Sequence, residues 1–205
     1  MRQTNNQNYS IGRSTSVSRM RKYLSTPVWQ SKYPFFKRLA PIGLQHWLTN
    51  RKSLTHALIC ACPEKFSVKV LNEDWQKPTL SESHALGLKP NSLAFIRQVH
   101  LYCGDKAWVY ARTVIPQNTL RGELQKLTHL GTQPLGAILF ANKHIQRGEI
   151  EIAKISSKHK VHQTALMFSQ NKSSSIWGRR SLFQISDSPL IVSEIFLPDI
   201  KKSCN

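Results

Sequence analysis

In the stretch SPLIVSEIFLPDI, residues 188–200, a β-branched apolar run carries the carboxylate of Glu194 in its middle. Side chains alternate along a strand, so Glu194 shares a face with Val192 and Phe196, while Ile191, Ile195 and Leu197 fill the other. Both faces read as buried, and a carboxylate there costs several kcal/mol unless it is paired or put to use. A cation stands in the same position in SLAFIRQVHLYC, where Arg97 shares its strand face with Leu93, Phe95, Val99 and Leu101. Two arrangements follow. The two residues could neutralise one another as a buried salt bridge, which adds little stability because desolvation offsets the attraction. Alternatively both could be polar walls of a pocket, the guanidinium fork holding a ligand carboxylate. The pattern alone divides evenly between them.

Two helix starts could complete such an anion seat. Leu54 follows Ser53, a natural N-cap, and Leu135 follows Pro134, which suits a first helical position. Their backbone N–H groups fall in the first turn, where the helix leaves donors unused and its dipole favours an anion. As plain core side chains the two leucines need no ligand, and the residues by themselves favour that reading. The cysteines Cys60, Cys62, Cys103 and Cys204 make one C-x-C and no C-x-x-C, and no histidine pair follows at zinc-finger spacing. They read as reduced thiols that bind no metal.

The elements that must position these groups alternate between two periods. PIGLQHWLTN and SLTHALICAC read as helices, the second with an apolar stripe of Leu54, Ala57, Leu58 and Ala61; LRGELQKLTHL and PLGAILFANKH read as two more. FSVKVL alternates as a strand, SLAFIRQVHLYC and AWVYARTVIP flank the turn GDK as an antiparallel hairpin, and EIEIAKI, SLFQIS and LIVSEIFL supply the last strands. The prediction is an α+β domain over residues 31–200, an antiparallel sheet with helices in its connections, of a size that suits one core. Residues 1–30, rich in Ser, Asn, Gln and Arg, read as a basic disordered extension, a transit sequence being the alternative. Residues 153–175 read as a long loop insertion, with His159 and His162 as solvated loop residues.

Lys and Arg number 29 against 11 Asp and Glu, a net charge of +18, and the first acidic residue is Glu64. This balance calls for an anionic partner, whether nucleic acid, acidic lipid or a small polyanion. The chain lacks interleaved aromatics on a basic strand face, any RNA-binding motif, and a recognition helix in residues 1–47, which argues against nucleic acid. No apolar run approaches the roughly 20 residues of a membrane-spanning helix. The expectation is a cytoplasmic protein without stable membrane insertion.

Taken in order, RKSLTHAL, IRQVHLYCGDKAWVYARTVIP, LTHLGTQPLGAILF, IEI, IWGRRSLF and PLIVSEIFLP resemble the chorismate lyase family from about Leu48 to Pro198. That resemblance implies a six-stranded antiparallel sheet, an internal ligand cavity under helical flaps, a monomer, and no metal or organic cofactor. It implies an enzyme that converts chorismate into 4-hydroxybenzoate and pyruvate at the entry to the ubiquinone ring. By motif, the arginine that grips the product carboxylate falls on Arg97, the two backbone amides that share it fall on Leu54 and Leu135, and the acid that meets the 4-hydroxyl falls on Glu194. Arg97 and Glu194 are thus the expected catalytic residues. In IWGRRSLF, Arg179 and Arg180 read as a solvated turn, with contact to the second carboxylate of chorismate as the alternative. The chain departs from the family in its basic extension and its long 153–175 connection. The same fold also resembles the effector-sensing domain of bacterial transcription regulators, where a pocket binds ligand without chemistry; residues 1–47 carry too little periodic helix for the winged-helix reader those regulators place ahead of it.

Overall fold

The alternating runs on either side of Gly104 and Asp105 pair as β2 (Ala94–Cys103) and β3 (Lys106–Pro116), and Gly104 supplies the positive φ of 57° at the turn. These coordinates are a computed structural model that describes residues 26–31, 39–141 and 145–200. The stretch 1–25 and residues 201–205, with Cys204, lie outside the described residues. Ahead of the hairpin come α1 (Ile42–Thr49), α2 (Leu54–Ala61), β1 (Phe66–Gln76) and α3 (Leu80–Ala85). After it come a 3-10 helix (Gly122–Thr128), α4 (Leu135–Ala141), β4 (Ile145–Ser156), α5 (Lys160–Ala165), β5 (Ser175–Ile185) and β6 (Ser188–Phe196). The strands form one six-stranded sheet in the order β1-β2-β3-β6-β5-β4, and every neighbouring pair is antiparallel. The α+β architecture is the one expected.

Each face of the sheet has its own cover. On the inner face α1 and α2 place Trp47, Leu48, Leu54 and Leu58 against Val99, Leu101 and Phe196, and α4 places Leu135 and Leu139 against Phe95, Ile115 and Phe183. On the outer face α5 packs Ala165 beside Tyr110, Ile155 and Ile195, while Leu86, just after α3, packs beside Ile96, Val114 and Ile191. Between these two outer patches a polar row crosses the sheet in register: Asn72, Gln98, Arg112, Ser193, Arg180 and Glu151, one residue from each strand. Arg112 there gives both Nε (2.7 Å) and Nη2 (3.1 Å) to Glu82 of α3, and Arg180 gives Nε to Glu151 (2.6 Å).

The sequence signal for α3 is Thr79-Leu-Ser-Glu82, a capping box. Thr79 Oγ1 accepts from the Glu82 N–H at 3.2 Å and Glu82 Oε2 accepts from the Thr79 N–H at 2.8 Å. Burial pushes the Glu82 carboxyl up, but Arg112 and Thr79 more than offset this and hold it below the usual range. Thr79→Ala is expected to lower stability by about 1 kcal/mol, the usual worth of an N-cap, as read by urea denaturation. An unchanged midpoint would show that Arg112 alone holds α3 in place.

Several expectations are corrected. Cys62 and Cys103 form a disulfide, with Cα atoms 5.6 Å apart, because the C-cap of α2 docks beside the end of β2; Cys60 is a free, exposed thiol. The helix expected in LRGELQKLTHL is a 3-10 helix. The 153–175 connection is partly regular: β4 continues to Ser156 and α5 occupies Lys160–Ala165. Of its histidines, His159 does lie in the turn ahead of α5, half-buried, whereas His162 belongs to α5 and is no solvated loop residue. His162 is buried and bonded through Nε2 to Ser173 O at 2.8 Å, and His159 Nδ1 accepts from the Ser156 N–H. At the other end of the domain Gln30 pairs with Ile152 as an antiparallel bridge, so ordered contact with the sheet begins before residue 31.

Candidate functional site

All four residues expected to form the site line one internal cavity between the inner face of the sheet and the starts of α2 and α4. β2 supplies Arg97 and Val99, β3 supplies Ala111 and Thr113, β6 supplies Val192 and Glu194, and Leu54 and Leu135 open their helices above them. The two helix starts adjoin closely, since a Cβ on Gly136 would stand 2.7 Å from Thr55 Oγ1. A side chain at 136 would require Thr55 to move. Ser53 caps α2 by accepting the His56 N–H at 3.3 Å, as its position predicted. The backbone N–H groups of Leu54 and Leu135 make no hydrogen bond among the described residues, so two helix-start donors remain unused at one end of the cavity.

Arg97 occupies that same end and is 3% exposed. Its Nε donates to Glu73 Oε1 at 2.6 Å, and its Nη2 donates to the carbonyls of Gly131 (2.6 Å) and Gln133 (3.1 Å) in the loop that leads into α4. Its Nη1 has no partner among the described residues. Glu73 reaches Arg97 because a β-bulge between Val70 and Asn72 shifts the register of β1, placing Glu73 opposite Arg97 on the inner face. Leu93, expected on this face, precedes the strand and is exposed.

Glu194 marks the other end. Its carboxylate accepts Arg179 Nε at 2.5 Å, its side chain is 16% exposed, and Arg179 is wholly buried. Arg179 Nη1 donates to the carbonyls of Trp47 (2.8 Å) and Asn50 (2.5 Å) at the C-terminal end of α1, where the helix dipole favours a cation. The WGRR motif is therefore no solvated turn but the buried middle of β5, with Arg179 facing the cavity side and Arg180 the outer row. Nor do Arg97 and Glu194 pair with each other; each has its own counter-ion.

Arg147 of β4 stands beside the Glu194 end. Its Nε donates to Ser181 Oγ at 3.0 Å, its Nη1 donates to Arg51 O at 3.1 Å, and its guanidinium carbon lies 5.2 Å from the centre of the Phe183 ring. Burial, with Arg179 and Arg51 adding repulsion and Glu194 opposing it, pushes Arg147 down to about 10. Sequence reasoning missed Glu73 and Arg147; the only signal was their place beside apolar runs.

The cavity is thus rich in donors at one end, carries a carboxylate at the other, and has an apolar middle of Val99, Ala111, Leu139 and Val192. Such a space suits a flat ligand with an anion at one end and a hydroxyl at the other.

Comparison with known proteins gives a family. The family described as "Chorismate lyase" matches residues 24–203. Proteins named "Probable chorismate pyruvate-lyase" include one from Nitrosomonas europaea, 34% identical over 80% of this chain and 91% of its own length. Others come from Methylococcus capsulatus, at 36% over 77% of this chain and 96% of that protein, and Marinobacter nauticus, at 40% over 78% and 79%. Among solved structures, the PhnF C-terminal domain superposes with a TM-score of 0.53 at 14% identity, covering 73% of this chain and 90% of that one. A GntR-family transcriptional regulator from Bacillus cereus superposes at 0.51 and 8% identity, covering 69% and 98%. These two likenesses are of fold alone.

Proposed function

The chain belongs to the chorismate lyase family, and from that premise we propose that it eliminates pyruvate from chorismate to give 4-hydroxybenzoate, the ring precursor of ubiquinone. The observation that carries this reading is the gathering of Arg97, Leu54, Leu135 and Glu194 around one cavity, donors at one end and a carboxylate at the other.

In this reading Arg97 Nη1 and the Leu54 and Leu135 amides hold the ring carboxylate, and Glu194 meets the 4-hydroxyl. The reaction breaks the C3–O ether bond and removes the C4 hydrogen, which aromatises the ring; the hydrogen ends on the methylene carbon of the departing group as the methyl of pyruvate. One concerted transfer and a stepwise acid–base elimination give the same balance. No water is consumed, and aromatisation supplies much of the driving force. The protein's work is to orient the substrate, exclude water and polarise the C4 region. The cavity measures about 50 Å³, room for a few water-sized spheres, so the α2 and α4 starts must part to admit a ring. Each turnover then includes an opening and a closing of these helix starts.

Incubating the chain with chorismate and following 4-hydroxybenzoate absorbance and pyruvate together tests the reading. Equal amounts of both products are expected. Tight binding of chorismate without either product would overturn the lyase reading and favour a ligand-sensing domain.

A further inference from the structure

Four arginines of the sheet have a carboxylate partner: Arg97 with Glu73, Arg112 with Glu82, Arg179 with Glu194 and Arg180 with Glu151. Arg147 has none among the described residues, although it is partly buried. Its two partners, Ser181 Oγ and Arg51 O, are neutral, and its Nη2 has no partner among the described residues. A β-bulge between Arg147 and Ile150 bends the strand here, and Arg147 pairs in register with Phe183, whose ring lines the cavity. A cation withdrawn from water without a counter-charge is costly until an anion arrives.

We propose that Arg147 is the seat for a second carboxylate of the substrate, the one carried on the enolpyruvyl arm. This rests on the reading of the cavity as a chorismate lyase site. Chorismate is a dianion, and Arg97 with the two helix starts accounts for one of its charges. Glu194 marks the ring carbon that bears the hydroxyl, and the enolpyruvyl ether leaves from the adjacent carbon, so its carboxylate falls on the Glu194 side. Of the other cations there, Arg51 is exposed to solvent, and Arg179 is wholly buried and already committed to Glu194 and to two α1 carbonyls. Arg147 is the partly buried one with no carboxylate at salt-bridge distance among the described residues. The product 4-hydroxybenzoate lacks this carboxylate, so Arg147 distinguishes substrate from product and does not retain the product after pyruvate has left.

The test compares the two ligands on the full chain. For Arg147→Ala, KM for chorismate is expected to rise about tenfold, the worth of one charge-assisted contact at a partly exposed site, while calorimetric affinity for 4-hydroxybenzoate stays at the wild-type value. Arg147→Lys keeps the charge but not the fork, and is expected to restore part of the loss. Equal weakening of both ligands, or an unchanged KM, would overturn the assignment. Should the alanine variant fail to fold, the lysine variant carries the same comparison. A wild-type chain that binds chorismate without converting it would sink the lyase reading alone, and the Arg147 comparison would then be read in chorismate binding by calorimetry.

Discussion

Glu194→Gln is expected to slow turnover of chorismate by about 10²–10⁴-fold, the usual worth of a positioned acid or base, and to lower stability in the same molecule. Both losses follow from one geometry. The carboxylate faces the cavity, yet it is also the counter-ion of Arg179, which is wholly buried and whose Nη2 has no partner among the described residues. Glutamine keeps an oxygen for Arg179 Nε but removes the charge, and an uncompensated buried cation costs about 3–5 kcal/mol. Thermal melting and turnover must therefore be measured on one preparation, with turnover read well below the variant's own melting temperature. Very low turnover in that folded regime supports the catalytic role. Normal turnover there would leave Glu194 as the partner of Arg179 and nothing more.

Arg97→Ala is expected to weaken both chorismate and 4-hydroxybenzoate about a hundredfold, since a charge-assisted contact in a dry pocket is worth about 1.5–3 kcal/mol. The loss has two routes. The direct one is the contact from Nη1. The indirect one runs through Nη2, which holds the Gly131 and Gln133 carbonyls and so fixes the loop from which α4 starts. Stability should suffer less than in the Glu194 variant, because the abandoned partner, Glu73, is 22% exposed and keeps access to water. Isothermal calorimetry with 4-hydroxybenzoate decides the matter, and an unchanged affinity would remove Arg97 from the site. The contrast with Arg147→Ala is diagnostic, since that substitution spares the product.

Much of this was legible in the sequence because the anomalies were local. A charge inside an apolar alternating run is visible without a fold, and both such residues, Arg97 and Glu194, line the cavity. The helix starts were equally readable from Ser53 and Pro134. What could not be read was the partner of each charge, because that depends on register across strands. Glu73 meets Arg97 only through the bulge in β1, and the alternation of FSVKVL ends before that bulge takes effect. Likewise Arg179 looked like part of a turn because WGRR is polar, although cross-strand pairing sets it beside Glu194 in the middle of the sheet. The Cys62–Cys103 bridge joins residues 41 apart in the chain, a proximity created by docking α2 on the hairpin and announced by no spacing rule.

The polar row on the outer face bears on how this sheet finds its alignment. Alternation of apolar and polar residues forbids a strand to slip by one position, since that would turn its core side chains outward. It does not forbid a slip by two, which keeps every side chain on its proper face. Here such a slip would carry Arg112 out of reach of Glu82, or Arg180 away from Glu151, and leave a charge stranded under the helices. Because each of the six strands contributes one member, the row works as a set of notches cut across the sheet, admitting one alignment of every strand and penalising the even-numbered errors that hydrophobic patterning tolerates.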